Sequence, residues 1–216
     1  MTRAGSRRLV LLHGLWMHGV SMYWLAAQLR AQGWDPEIFS YHSVVDGPER
    51  TIGRLVDVLG DGGETAIVAH SLGGLVALQA LCLAPALPVS RVVCIGSPLA
   101  GSRAAAGMAR WPGAAGLLGR NAPLLQTGFP CWQGRAEVGA IAGRVRVGLG
   151  ALFAGFDGEH DGTVAVAETR LEGLADHALV DASHSGLLFS RAVADHAVAF
   201  LRDGRFQAGA PGAGTR

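Results

Sequence analysis

A serine hydroxyl acts as a nucleophile only when a base takes its proton and a third group fixes that base. The serine to look for is therefore one that the chain lifts clear of its surroundings. Ser71 is placed that way. Residues 65–69 form a short apolar, β-prone run, and residues 72–83 have helical spacing with no charge among them. A strand turning directly into a helix forces the residue at the bend into a strained backbone conformation and aims its side chain past the helix N-terminus. Ala69 and Gly73, two positions before and two after, are small enough for strand and helix to approach. Together they make a small-x-Ser-x-Gly elbow. Two plainer readings compete: Ser71 as a simple helix N-cap, and the uncharged stretch 65–90 as a membrane span. Gly73, Gly74, Gln79, Pro85 and Pro88 interrupt that stretch, and residues 72–83 fall short of the roughly 20 that a span needs.

In sheets that carry such an elbow, the acid follows the serine in the chain and the histidine follows the acid. The chain has eight histidines. His13, His18, His42 and His70 precede Ser71 or adjoin it, so order excludes them as the base. His160 adjoins an acidic loop, His177 opens the last apolar run, and His196 lies inside the final helix. His184 sits in the small-residue loop Ser183-His184-Ser185-Gly186, after a strand and before a helix, and is the expected base. Asp161, in His160-Asp161-Gly162-Thr163-Val164, is the chosen acid, with Asp157 as the alternative. Asp181, three residues before His184, reads as structural. The developing oxyanion needs main-chain donors, usually the N–H after the nucleophile and one from the loop after the first strand. These are Leu72 and Leu15. Trp16 and Met17 directly follow that loop and are the expected lining of a substrate pocket. Trp24 reads at least as readily as core filling.

The elements that must hold these residues follow from periodicity and turn residues. Strands are expected at 9–12, 37–41, 65–69, 91–95, 137–142 and 177–181. Helices are expected at 22–32, 49–59, 72–83 and 187–201, with a short one within 164–171. Alternating strands and helices indicate a mostly parallel sheet of about six strands with helices on both faces, an α/β class. His13-Gly14, Ser71, Gly96-Ser97-Pro98 and Ser183-His184 all fall at carboxyl ends of strands, where such sheets gather their chemistry. Residues 1–206 are expected to form a single domain in which 99–135, rich in Gly and Ala and carrying Trp111, Phe129 and Trp132, is a small cap insertion. Residues 207–216 read as a flexible tail.

Composition narrows the function classes. At 216 residues with 50% apolar and 16% charged content, the chain can bury a substantial core. A net charge of +1 argues against nucleic acid or an anionic membrane surface as a partner. Cys82, Cys94 and Cys131 show no paired spacing, which argues against metal or redox use, and the first two read as buried thiols. The apolar run at 9–12 is too short for a signal-peptide core, so a cytoplasmic location is expected.

Taken together, these motifs resemble those of the α/β-hydrolase superfamily, specifically small bacterial lipases and esterases. His13-Gly14-Leu15-Trp16 is similar to the oxyanion-loop motif, and Ala69-His70-Ser71-Leu72-Gly73-Gly74 to an elbow variant with alanine first. Asp161-Gly162-Thr163-Val164 resembles the acid loop and Ser183-His184-Ser185-Gly186 the histidine loop. The resemblance spans roughly 9–201, with an unusually long gap between the 137–142 strand and Asp161. It implies a serine carboxylester hydrolase working through an acyl-enzyme on a small-molecule or lipid ester, with no cofactor or metal. The single glycine before Leu15 resembles lipases that favour medium or longer acyl chains. An acyltransferase, a thioesterase or amidase using the same triad, and an inactive hydrolase-fold binding protein are the alternatives. Epoxide hydrolases and haloalkane dehalogenases are disfavoured, because they resemble this fold but carry aspartate at the elbow.

Overall fold

Leu9 and Leu11 face one side of the first strand and Val10 and Leu12 the other, and all four are fully buried. A strand apolar on both faces belongs in the middle of a sheet covered on both sides. The computed structural model of the chain describes residues 7–111, 115–148, 155–156 and 158–207. Its strands are β1 (Arg7–Leu12), β2 (Trp34–Phe39), β3 (Thr65–His70), β4 (Val89–Ile95), β5 (Glu137–Gly143) and β6 (Asp176–Val180). They form a six-stranded sheet in the order β2-β1-β3-β4-β5-β6, with every neighbouring pair parallel. The expected parallel α/β sheet of six strands is present.

The helices divide between the two faces. On one, α2 (Pro48–Gly60) and α3 (Leu72–Leu83) pack Ile52, Leu55, Leu59 and Leu75 against Val10, Ile67, Val92 and Val138. On the other, α1 (Tyr23–Ala31) and α6 (Arg191–Asp203) pack Leu25, Leu29, Ala197 and Phe200 against Leu9, Val68, Val93 and Ile141. Trp24 packs partly buried against this second core and beside Phe189, as core filling. The segment after β4 holds α4 (Arg103–Ala109), a 3-10 turn at Ala115–Asn121 and α5 (Ala122–Thr127). Leu118 and Leu125 from this segment join the α2/α3 core.

Three expectations are corrected. The second strand starts three residues earlier than 37 and ends before Tyr41. Pro36 argues against a central strand, but β2 lies at the sheet edge, where a missing donor is tolerated. Tyr41, outside the strand, stacks on His13 instead, with ring centroids 4.3 Å apart. The last helix is not continuous over 187–201. A 3-10 turn, Gly186–Phe189, comes first, and the Ser190 hydroxyl then accepts the Val193 N–H at 3.4 Å to start α6 anew. Cys82 faces outward, while Cys94 is buried, its thiol pushed up to about 12 by burial. Among the described residues no helix is long and apolar enough to cross a membrane. Of the expected tail, 208–216 lies outside the described residues.

The chain adds β2 to one side of β1 and β3 to the other. That reversal lies at the carboxyl ends of β1 and β3, which is where such sheets place ligands.

Candidate active site

β3 ends at His70 and α3 begins at Leu72, which leaves Ser71 alone to make the turn. Its backbone sits at φ 54° and ψ −122°, a region non-glycine residues seldom occupy. Its N–H donates to the Ile95 carbonyl at 2.9 Å, so the β3–β4 ladder continues through the strained residue and holds it. Gly73 explains how α3 can turn so sharply. A Cβ there would stand 2.8 Å from the His13 carbonyl oxygen and 2.9 Å from the Leu12 Cβ.

The loop after β6 brings His184 over Ser71. The Ser71 hydroxyl lies 3.1 Å from His184 Nε2, and His184 Nδ1 lies 2.7 Å from an Asp161 carboxylate oxygen. A carboxylate only accepts, so the facing Nδ1 carries the proton and Nε2 is free to accept from the serine. Asp161 is 1% exposed. Its second oxygen accepts the N–H groups of Thr163 at 2.9 Å and Val164 at 2.7 Å, and its own carbonyl accepts the His184 N–H at 2.9 Å. Gly143, at the end of β5, makes room for this loop, because a Cβ there would meet the Asp161 Cβ at 2.8 Å. The long gap before Asp161 is partly used in following β6: Arg144 N–H donates to the Val180 carbonyl and Val145 N–H to that of Ala182. Asp181 points away and pairs with Arg144 at the surface. Asp157 lies outside the described residues.

Gly14, in the loop after β1, abuts the nucleophile, since a Cβ on it would sit 2.9 Å from the Ser71 Cβ. Two residues on, Trp16 is, among the described residues, the other non-glycine residue at positive φ, 58°, and its N–H donates to the Ser43 hydroxyl at 3.1 Å. That bond occupies the Trp16 N–H, and Leu15 stands between Trp16 and Gly14 in the same loop. Leu72 is the first residue of α3, whose opening N–H groups have no acceptor inside the helix. Trp16 is half exposed, and its indole N–H donates to the Leu117 carbonyl at 2.7 Å, which pins the loop to the 115–121 segment. Met17 lies beside Gly14 and packs against the second core. A polar hollow of about 450 Å³ lies at the opposite, amino ends of the strands, lined by Arg7, Arg8, Trp34 and Arg91, far from this chemistry.

Several further residues shape the site. The ring of His70 lies against His184, with centroids 4.7 Å apart. Burial, and then the charge of His184, pushes its pKa down to about 3. His13 is buried, and its carbonyl accepts the Tyr41 hydroxyl at 2.7 Å. Glu168, also buried, accepts the Arg103 N–H at 2.7 Å and the Ala165 N–H at 2.9 Å, joining α4 to the acid loop. His70 and His13 stand in the elbow and oxyanion-loop motifs, whereas nothing local in the sequence marks Glu168. Among the described residues no cluster of His, Cys, Asp or Glu is placed to hold a metal ion.

No protein-family model matches the chain, and no curated protein matches it. Solved structures do. The mature lipase BlEst2 of Bacillus licheniformis is 22% identical, with a TM-score of 0.69 over 87% of this chain and 89% of that one. A metagenomic carboxyl esterase, MGS0156, is 20% identical with a TM-score of 0.61, over 85% of this chain and 66% of its own length. The pyrethroid hydrolase PytH is 14% identical with a TM-score of 0.66, over 92% and 99%. These likenesses show that the chain has the α/β-hydrolase fold and resembles bacterial lipases and esterases.

Proposed function

We propose that the protein is a serine carboxylester hydrolase acting through an acyl-enzyme. The observation that carries the reading is the continuous line from Ser71 Oγ through His184 to Asp161, at 3.1 Å and 2.7 Å, where the strand order reverses. In this reading Ser71 Oγ attacks the ester carbonyl carbon while His184 Nε2 takes its proton. The Leu15 and Leu72 N–H groups receive the oxyanion, with the N-terminal end of the α3 dipole behind them. Collapse breaks the bond to the leaving oxygen, which takes the proton from His184 Nε2 and departs as the alcohol. Water then repeats the sequence on the acyl-serine, His184 again taking and returning the proton, and the carboxylic acid leaves. Asp161 keeps Nδ1–H in place throughout and stabilises the imidazolium.

The same reading treats 1–206 as one domain, with 99–135 as a small cap beside the site and Trp16 and Met17 on the acyl side. The half-exposed Trp16 bound to the Leu117 carbonyl supports an apolar wall there. Lipases, a carboxyl esterase and a pyrethroid hydrolase among the structural neighbours support ester hydrolysis over other uses of the fold.

The test is hydrolysis of p-nitrophenyl acetate, butyrate, octanoate and palmitate by the full chain, beside Ser71→Ala and His184→Ala. Turnover is expected to fall by roughly 10³- to 10⁶-fold in both variants with the fold intact, and the chain-length profile sizes the acyl pocket. A wild-type protein that cleaves none of these esters and whose Ser71 takes no fluorophosphonate label would overturn the proposal.

A further inference from the structure

His70 cannot be the base by chain order, yet its ring lies against the base, with centroids 4.7 Å apart. It closes β3 and is 1% exposed. Its Nε2–H donates to the main-chain carbonyl oxygen of His184 at 3.1 Å. The other ring nitrogen, Nδ1, is buried without a hydrogen-bond partner. It faces Gly14, where a Cβ would come within 3.0 Å of it. With Nε2 as the donor, Nδ1 carries the lone pair. A proton there would have no solvent and would sit beside the positive charge that forms on His184 during the reaction. The pKa of about 3 agrees with a ring that stays neutral.

All four polar atoms of His184 are engaged. Its N–H and Nδ1–H both go to Asp161, its Nε2 faces Ser71, and its carbonyl accepts from His70. His184 and Asp161 are thus tied to each other and can move as a pair. Among the described residues, the hydrogen bonds that link this pair to the elbow are the reacting contact with Ser71 and the bond from His70. The first must break and reform in every turnover.

We infer that His70 is a positioning residue: by tying the main chain of His184 to the last residue of the nucleophile strand, it fixes the approach of His184 Nε2 to Ser71 Oγ. The bond spans 114 residues of chain and involves the immediate neighbour of the nucleophile. It therefore sets the geometry across the reacting pair and not elsewhere in the loop. The inference rests on the hydrolase reading above.

His70→Phe keeps the ring volume and loses the donor. His70→Gln keeps an N–H near the position of Nε2, and the shorter side chain of His70→Asn cannot reach the carbonyl. The measurements are kcat and KM on the best p-nitrophenyl ester, the rate of fluorophosphonate labelling of Ser71, and thermal melting, all on the full chain. His70→Phe is expected to lower kcat about 10- to 100-fold with KM within about twofold, and to slow labelling by the same factor. His70→Gln is expected to return to within about threefold of wild type. A residue that only supported the fold would lower the melting temperature without this split. Should His70→Phe fail to fold, the Asn and Gln pair decides: loss in Asn with recovery in Gln supports the tie. A folded Phe or Asn variant with wild-type kcat, or a Gln variant as impaired as Asn, overturns the inference while the hydrolase reading stands. A wild type with neither turnover nor labelling removes both.

Discussion

Both carboxylate oxygens of Asp161 are engaged, which makes it unusually easy to test. One oxygen accepts two loop N–H groups and the other accepts His184 Nδ1–H. In Asp161→Asn, the amide can satisfy the loop only by turning its oxygen toward Thr163 and Val164, which aims its NH₂ at His184. Nδ1 must then be the acceptor, the proton moves to Nε2, and the ring can no longer take the proton of Ser71. The expected result is a fall in kcat on the order of 10⁴-fold with the fold retained. Steady-state kinetics measures the fall, and the ¹⁵N shifts of the His184 ring read the tautomer directly. A variant that keeps the Nδ1–H tautomer and near-wild-type turnover would show that Asp161 is not the orienting group. Ser71, His184 and Asp161 were nominated from sequence because each sits in a local pattern of small or turn-forming residues. His70 shares the elbow pattern, but nothing local marks its partner, and Ser43 and Glu168 have no such pattern. Their distant partners lie 114, 27 and 65 residues away, and only tertiary packing makes them neighbours.

The elbow is a property of two elements in contact, and Gly73 is where they meet. Alanine there would press a methyl group against the His13 carbonyl and the Leu12 side chain. Neither can yield without moving β1 or α3. Overpacking of this kind costs about 1–3 kcal/mol, and because α3 carries Leu72 it also displaces Ser71. Gly73→Ala is therefore expected to lower the urea midpoint and to lose activity together, whereas a half-buried helical glycine such as Gly53, with nothing near its missing Cβ, should gain stability as alanine. Unchanged activity in Gly73→Ala would mean that the turn does not depend on this close approach. The elements themselves were legible where local signals agreed. The apolar run and turn at β3–α3 and the one-sided pattern of α2 read directly from the chain. The misread elements turned on context: Pro36 is acceptable only because β2 is an edge strand, and the break at Ser190 is hidden in an apolar-periodic stretch. Both depend on which neighbour the segment finds.

At the scale of the whole molecule, buried histidines set the response to acid. Burial holds His177 down to about 4 and His70 to about 3, and it lowers His13 and His196 as well. Around His177, Arg170 pushes the same way and Asp176 opposes. In the unfolded chain these rings take a proton near the ordinary 6.5. Below that pH the unfolded state binds protons that the folded state refuses, so stability falls as pH drops from about 6.5 toward 4. Glu168 works against this trend. Burial raises its carboxyl above the ordinary 4.5, so the folded state keeps a proton that the unfolded state releases in the window just above that value. Its contribution favours the fold as pH falls through that window. The histidines outnumber it and act over a wider range. Urea unfolding between pH 7 and pH 5 is therefore expected to show stability decreasing by on the order of 1.4 kcal/mol per pH unit for each fully shifted histidine, and His177→Gln should remove one such contribution from the slope. A stability curve flat from pH 7 to pH 5 would mean that these rings are not held neutral by the fold. Run beside kinetics, the same series separates two ways of failing in acid. Activity lost where the urea midpoint has not moved belongs to the site, and activity lost in step with the midpoint belongs to the buried histidines of the core.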